Sequence, residues 1–371
     1  MRVLTTSTCF PRWKDDYFGN FVLNASRGLA NEGYDIEVLC PHYPGVAREE
    51  VVEGVKVTRF KYFFEDQQSV AYGGGMGPNL KQNWWLWAQL PFFVFSFLRA
   101  IRKYKKGKDL VHAHFLLNGF LCLLMRSRPL LVTVHQVVKN NWVNRFVLEH
   151  ADGVYFNSQY TCDQSLKFCK PKKHWVLRAG IRTGFFVPKE NNTPFNVVFV
   201  GRMVEKKGLP VLIEAMKGLD IPWTAIGGGT DLAKYKEDYP NNFTGVVDDA
   251  TLLQYMQNAG VVVLPSIIDS GGETETLGQT LVEALSCGVP VIGSNVGGIP
   301  EVVDATVGFL VSPGDSKELR ERILQLESSP ELQQALRANT RVKAVREFSV
   351  EAHVEQLKKI YEEVIGDATS T

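Results

Sequence analysis

The chain of 371 residues is long enough for two or three domains, and its 45% hydrophobic and 22% charged residues are typical of a folded globular protein. A net charge of +1 gives no sign of a nucleic-acid partner, and none is predicted. Residues 1–185 nevertheless carry 25 basic and 14 acidic side chains, a balance of +11, whereas residues 186–371 have a balance of −10. The asymmetry indicates that the first half meets an anionic surface or acceptor, with chance surface composition as the alternative.

The six cysteines are isolated, with no CxxC pair, which predicts buried thiols in a reducing compartment. The first ten residues, MRVLTTSTCF, resemble a strand because they lack the long apolar core and the cleavage site of a signal peptide. We therefore predict a cytoplasmic location.

In the first half of the chain, strand-like and helix-like segments alternate, as in α/β units with parallel sheets. The predicted strands lie at residues 2–6, 35–40, 55–60, 110–114, 130–135 and 153–157. Predicted helices between them include residues 20–32 and 117–126.

A second alternating series follows. Its predicted strands lie at residues 196–200, 223–226, 260–264, 289–293 and 308–311, and its helices at 209–218, 249–258, 278–287 and 316–327. A turn-rich linker at 183–194 predicts two Rossmann-like doubly wound domains facing across a cleft, 1–185 and 186–349. The segment 350–371 begins with an amphipathic helix at 350–365, which we expect to pack back toward the first domain.

Loops of the first half carry histidines but no GxGxxG, so the sequence gives no support to a dinucleotide enzyme. His112 and His114 lie two residues apart on one predicted strand with no cysteine or carboxylate cluster beside them, which favours a role in the core or at the strand end over a metal site. His135 follows the next apolar strand, and the sequence leaves open whether it is a base, an orienting donor or a dipole. Gly19 opens the first helix.

Residues 84–108 form an unusual segment, without charge from Trp84 to Leu98 and with six basic residues from Arg99 to Lys108. A membrane span is disfavoured because the sheet resumes directly afterwards and Pro91 is expected to interrupt the helix. Two alternatives remain, a helix packed on the sheet and an interfacial helix on an anionic membrane. The residues predicted to meet an acceptor or membrane are Trp84, Trp85, Trp87, Arg102, Lys103, Lys105 and Lys106.

Two charged motifs follow strands of the second half. Arg202 and Lys207 flank the loop GRMVEKKG, where they could neutralise a leaving diphosphate. Glu275 and Glu283 flank and enter a helix that starts near Gly278, about 12 Å of helix rise apart. The free amides of the helix at that turn suit a diphosphate. The alternative is a purely structural role, in which Glu275 caps the helix and Glu283 is exposed to solvent.

Residues 196–303 resemble the nucleotide-sugar half of the family-4 glycosyltransferases, which have the GT-B fold. The resemblance is carried by the glutamate pair separated by seven residues, by Ala-x-x-x-Gly-x-Pro-Val at 284–291 and by GGIPEVV at 297–303. The chain departs from the family at Thr276, where glycine is usual, and at Gly19, where the usual double glycine is missing.

The resemblance implies a retaining enzyme that moves a sugar from a nucleoside diphosphate to an acceptor. Glu275 and His135 would face the sugar and Glu283 the ribose; the implied diphosphate contacts are Gly19, Arg202, Lys207, Leu277, Gly278, Gln279 and Thr280. Uridine, guanosine and adenosine all remain open as the base. No cofactor is expected, and the absence of an Asp-x-Asp motif disfavours a metal-bridged diphosphate.

The acceptor is left open by the sequence, although residues 84–108 point to a lipid-linked acceptor or growing glycan at the cytoplasmic membrane face. Two other functions are kept as alternatives. One is a non-catalytic protein that binds nucleotide sugars or membranes, and the other is a GT-B epimerase or phosphorylase.

Overall fold

The structure is a computed structural model that describes residues 1–14, 16–73, 75–190 and 193–370, with the backbone alone at 367–370. The chain forms two compact units. The first comprises Met1–Asn157, Thr161–Gly180 and the chain from His353 onward, and the second comprises Ser158–Tyr160 and Ile181–Ala352. The chain thus enters the second unit five residues before the predicted boundary at 185, and the predicted linker positions Asn191 and Asn192 lie outside the described residues.

The first unit is built on an eight-stranded sheet in the order β3-β4-β2-β1-β5-β6-β7-β8. All neighbouring strands are parallel except β3, which is antiparallel to β4. The strands are β1 (Arg2–Thr6), β2 (Asp35–Pro41), β3 (Glu49–Val52), β4 (Val55–Phe60), β5 (Leu110–His114), β6 (Leu130–Val134), β7 (Gly153–Phe156) and β8 (His174–Val176).

Six helices accompany the strands of the first unit along the chain. They are α1 (Asn20–Asn31), α2 (Met76–Gln82), α3 (Leu86–Tyr104), α4 (Leu116–Leu124), α5 (Trp142–His150) and α6 (Gln159–Leu166). The central strands are fully buried because helices cover both faces of a parallel sheet, and their apolar sequences match that position.

The second unit has a six-stranded, wholly parallel sheet in the order β11-β10-β9-β12-β13-β14. Its strands are β9 (Val197–Val200), β10 (Trp223–Ile226), β11 (Phe243–Gly245), β12 (Val261–Leu264), β13 (Val291–Ser294) and β14 (Gly308–Val311). Its helices are α7 (Leu209–Met216), α8 (Leu232–Asp238), α9 (Asp249–Asn258), α10 (Gln279–Ser286), α11 (Ser316–Glu327) and α12 (Pro330–Phe348). Strand order reverses between β9 and β12, as it does between β1 and β5 in the first unit.

The last helix, α13 (Val350–Ser370), belongs largely to the first unit. Its apolar stripe, which includes Leu357 and Tyr361, is fully buried. The Tyr361 hydroxyl also lies 2.8 Å from Nδ1 of His112 on β5. This contact pairs two polar groups that burial would otherwise leave unsatisfied.

The prediction that Pro91 interrupts the helix at 84–108 is wrong. Helix α3 runs unbroken from Leu86 to Tyr104 with Pro91 inside it. A proline costs the helix one backbone hydrogen bond, but the inner face of α3 packs firmly on the sheet. Phe97 stacks on Phe60 of β4 with ring centroids 4.4 Å apart, and Phe93 meets the same ring edge-on. Packing therefore outweighs the local penalty.

Candidate active site

The loops that follow β9 and β12 meet at the point where strand order reverses in the second unit. Open α/β sheets bind ligands at such a point, beyond the carboxyl ends of the strands. The two loops approach very closely, because a Cβ added to Gly208 would lie 1.8 Å from the carbonyl oxygen of Pro265. Gly208 also has φ +67°. Both the close approach of the loops and the left-handed backbone therefore require a glycine at this position.

Lys207, directly before Gly208, forms an ion pair with Glu275 of the other loop. Both side chains are largely buried, at 14% and 15% exposure. Burial by itself would raise the pKa of Glu275, but the Lys207 ammonium outweighs it through charge and hydrogen bonding, and the pKa lies below its ordinary value. Arg202 is exposed on the same loop and could reach a phosphate oxygen.

The turn before α10 brings the remaining predicted residues together. Gly278 lies at the helix N-cap with φ +86°, and Gln279 and Thr280 are half-buried in the first turn, whose amides have no acceptor inside the helix. The Leu277 side chain is buried, so only its backbone can face a ligand. Thr276 is not among the residues with positive φ, so the turn needs no glycine where the family usually has one.

Two glycines of the GGIPEVV segment hold this turn in place. A Cβ on Gly297 would lie 1.9 Å from the carbonyl oxygen of Glu275, and one on Gly298 would lie 1.9 Å from that of Thr276. The Gly298 amide also donates a 3.1 Å hydrogen bond to the Glu275 carbonyl. The two motifs that carry the family resemblance are therefore parts of one rigid structure.

Glu283 is the fifth residue of α10, about one turn after Gln279, and is partly buried. Desolvation raises the pKa of Glu283 to about 7, with Arg182 lowering and Asp249 raising it to smaller extents. Arg182 and Asp249 form an ion pair with each other. A carboxyl group held here accepts hydrogen bonds from sugar hydroxyls when it is ionised.

This burial predicts a pH-dependent stability. Because the pKa of Glu283 rises from 4.5 to about 7 on folding, the folded chain holds a proton that the unfolded chain has released in that interval. The contribution of Glu283 to the free energy of unfolding is therefore fully present below pH 4.5 and is lost as pH rises through about 7. We expect Glu283→Gln, which cannot ionise, to match the wild-type Tm near pH 4 and to exceed it above pH 7, measured by scanning calorimetry.

The control for this measurement is Glu237→Gln, which changes an exposed carboxylate on α8 of the same unit. The Tm difference that Glu237→Gln shows at each pH is subtracted from that of Glu283→Gln. A remaining difference that does not vary with pH would show that Glu283 ionises as easily in the folded chain as in the unfolded one, against the prediction.

In the first unit, Gly19 is buried at the start of α1 with φ +86°. A Cβ at this position would lie 2.8 Å from backbone atoms of Cys9 and Phe10. The close approach that Gly19 permits in this structure is therefore to the chain's own loop after β1. Its contact with a distal phosphate stays a prediction.

His135 follows β6 and is enclosed by other rings. Its Nε2 lies 2.9 Å from Nδ1 of His114, and Phe21 packs with its ring centroid 4.4 Å away. Desolvation lowers the pKa of His135 to about 3, with a smaller contribution from His353. His135 is thus a neutral imidazole at physiological pH, which suits hydrogen bonding and not charge stabilisation. His112 bonds Thr133 through Nε2 at 2.6 Å, in keeping with the predicted core role.

Helix α3 has an outer face that the sheet does not cover. Trp84, Trp85 and Trp87 are 78%, 46% and 59% exposed, and Arg102, Lys103 and Lys106 are exposed further along. Lys105 is half-buried, and its ammonium donates to the carbonyl oxygens of Met125 and Arg126 after α4. Lys105 therefore caps the end of α4, and its contact with a membrane or acceptor stays a prediction.

Several residues of the second unit's site were not predicted. A glycine run follows β10, and a Cβ on Gly227 or Gly229 would lie 2.1 or 2.3 Å from carbonyl oxygens of the loop after β9. Three consecutive glycines after a predicted strand were the available signal. The Arg182–Asp249 pair had no such signal, because its members are distant in the chain.

Within the described ranges, no group of three or more histidine, cysteine or acidic side chains could hold a metal ion. No helix in the described part of the chain is both long and apolar enough to cross a bilayer. The six cysteines are all buried, as predicted.

Two family models match the sequence. The model "Glycosyltransferase Family 4" matches residues 19–185, and "Glycosyl transferases group 1" matches residues 181–343. An uncharacterized glycosyltransferase of Methanocaldococcus jannaschii is 29% identical over 283 residues, covering 70% of this chain and 76% of the relative.

Solved structures show the same architecture. Sucrose-phosphate synthase of Thermosynechococcus elongatus is similar with a TM-score of 0.81 at 22% identity, covering 99% of each chain. HepE of Anabaena, solved in complex with UDP-glucose, is similar with a TM-score of 0.72 at 18% identity, covering 98% of this chain and 100% of HepE. At these identities the similarity is one of fold.

Proposed function

The chain belongs to the family-4 glycosyltransferases of GT-B fold and is therefore an enzyme, and from this premise we propose that it transfers a sugar from a nucleoside diphosphate with retention of configuration. One observation carries the proposal. The buried Lys207–Glu275 pair lies at the strand-order reversal of the second unit, beside the first turn of α10. A lysine and free helix amides at one point suit a diphosphate.

The reaction breaks the bond between the anomeric carbon and the diphosphate oxygen and forms one to the acceptor oxygen on the same face. The acceptor proton passes to the departing diphosphate. Arg202, Lys207 and the first-turn amides of α10 stabilise the charge that develops on the leaving group. Glu275 orients the sugar and Glu283 accepts from the ribose hydroxyls, while neutral His135 acts as a hydrogen-bonding group.

The acceptor side of the proposal rests on the first unit. Exposed tryptophans and basic residues share the outer face of α3, a composition typical of helices that lie at an anionic membrane surface. We therefore include in the proposal a lipid-linked acceptor and peripheral attachment to the cytoplasmic face of a membrane.

The donor is tested first by binding. UDP, GDP and ADP are compared by thermal shift, each against its nucleoside monophosphate, because a bound ligand raises Tm by mass action. The HepE complex makes UDP the first choice. A diphosphate should raise Tm more than the matching monophosphate, and the absence of any diphosphate shift would contradict the proposed site.

Retention is tested on the product. The sugar nucleotide of the preferred base is incubated with extracted lipid-linked or free glycan acceptors, and the anomeric configuration is read by proton NMR. The product should keep the donor's anomeric configuration. An inverted product would overturn the same-face mechanism, and release of free sugar alone would mean that the acceptor class is wrong.

A further inference from the structure

A groove in the first unit lies between strands β3 and β4 on one side and the C-terminal half of α3 on the other. Its volume is about 790 Å³. Its floor is formed by the buried residues Thr58, Phe60 and Ala100. All of its lining residues belong to the first unit, so its shape depends on one compact unit alone. We call it the α3 groove.

Five basic side chains line the α3 groove: Arg48, Arg59, Lys61, Arg99 and Lys103. In the part of the chain that the structure describes, Arg48 and Arg99 have no ion pair. Lys103 contacts the Tyr104 hydroxyl, and Lys61 pairs with Glu65. Arg48 and Arg99 therefore present positive charge that no ion pair neutralises.

The acidic residues nearby remove only part of this charge, because Glu49, Glu50 and Glu65 are fewer than the five basic side chains of the lining. Glu49, the acidic residue that lines the groove, accepts a hydrogen bond from the Tyr104 hydroxyl at 3.3 Å. Glu50 forms an ion pair with Arg59, whose side chain is completely buried. The guanidinium of Arg99 thus remains available to an oxyanion, and arginine forms paired hydrogen bonds with phosphate oxygens.

Apolar side chains extend from the groove toward the start of α3. Phe95 lines the groove and is 67% exposed, and Phe92 and Trp87 continue the same exposed stripe. Because α3 leads into β5, this aromatic end lies toward the carboxyl edge of the sheet, where the loop with His135 also lies. A ligand that joins a phosphate to an apolar body matches both parts of the surface.

We propose that the α3 groove binds the headgroup phosphate of an anionic phospholipid in a bilayer, with Arg99 and Lys103 at the phosphate and Phe95 at the acyl boundary. The proposal rests on the membrane attachment included in the proposed function. It makes that attachment specific, because the membrane is bound at one defined groove and not by a general attraction between basic residues and anionic lipids. Nucleic acid is disfavoured as the occupant because the aromatic stripe continues away from the charge along one helix face.

The helix offers a charge-matched control. Arg102 on α3 and Lys106, two residues after the end of α3, are exposed but do not line the groove. The double variants Arg99→Ala/Lys103→Ala and Arg102→Ala/Lys106→Ala each remove two positive charges from the same segment, residues 99–106. General electrostatic attraction predicts equal losses, whereas a headgroup site predicts unequal ones.

The experiment is flotation of the full chain with phosphatidylcholine vesicles that contain or lack phosphatidylglycerol. We expect wild type to bind the anionic vesicles, and the groove variant to lose at least tenfold more affinity than the control variant. Equal losses in the two variants would overturn the groove as a site. Wild type that ignores anionic vesicles would overturn both the groove and the membrane attachment.

Inorganic phosphate distinguishes the source of the ligand. If inorganic phosphate, at constant total ionic strength, raises the Tm of wild type but not of the groove variant while the chain fails to float with anionic vesicles, the groove is a site for free phosphate and the lipid proposal is wrong. The stabilisation by UDP is measured on every variant, since it depends on the second unit. The Tm increase caused by UDP should be the same in every variant. A loss of vesicle binding with an unchanged UDP effect therefore concerns the groove alone, whereas a missing UDP effect concerns the donor site.

Discussion

Lys207→Ala is expected to lower kcat for sugar transfer by about 10²–10³-fold, the usual cost of removing one group that stabilises developing negative charge. The variant also leaves Glu275 without its counterion in a largely buried position, so the pKa of Glu275 should rise from its present lowered value. Turnover is measured with the preferred sugar nucleotide at a temperature below the variant's own unfolding transition.

Lys206→Ala is the matched control, one position earlier in the chain. Lys206 pairs at 3.3 Å with Glu273, whose side chain is 60% exposed. An exposed pair of this kind contributes little, and we expect a change of about threefold or less in kcat. Similar losses in the two variants would mean that the loop's total charge matters and that Lys207 has no particular place in the site.

Gly208→Ala is expected to have the second large effect, on stability and on activity together. A left-handed alanine costs about 1 kcal/mol or slightly more, and its Cβ would clash with the Pro265 carbonyl, which adds about 1–3 kcal/mol. Relief of the clash requires the loops after β9 and β12 to separate, which also moves Lys207 away from Glu275. Urea unfolding and UDP binding measure the two consequences.

Gly218 at the other end of α7 provides the comparison. It has φ +73° and no atom within 4 Å of an added Cβ. Gly218→Ala should therefore show only the backbone cost and should leave UDP affinity unchanged. If Gly208→Ala proves no more costly than Gly218→Ala, the close approach of the two loops is not a feature of the molecule in solution.

The interior strands could be predicted from sequence because burial on both faces demands continuous apolar runs, as in VVFV of β9 and VVVL of β12. The edge strand β3, EEVV, carries no such run and was missed. Its tight turn to β4 uses positive φ at Glu53 and Gly54, and glutamate is an uncommon residue in that conformation. Helix α12 was missed because small or polar Thr340 and Ala344 share its buried stripe with Leu336 and Phe348.

In the candidate site, the sequence identified Glu275, Glu283, Arg202 and Lys207 because motif spacing is local information. It did not predict that Lys207 and Glu275 form a pair, since that depends on β9 and β12 being neighbours in the sheet. It also did not predict that Lys105 caps the end of α4, which depends on where α4 ends relative to α3. Contacts between elements distant in the chain decided each of these outcomes.

The return of α13 to the first unit has a consequence for biosynthesis. Residues 1–180 leave the ribosome first, yet the surface that Leu357, Ile360 and Tyr361 cover becomes protected only when α13 has emerged. The second unit lies almost entirely within Ile181–Ala352 and can complete its fold earlier. During synthesis from the amino terminus, the first unit therefore keeps apolar surface exposed to chaperones until α13 has been made.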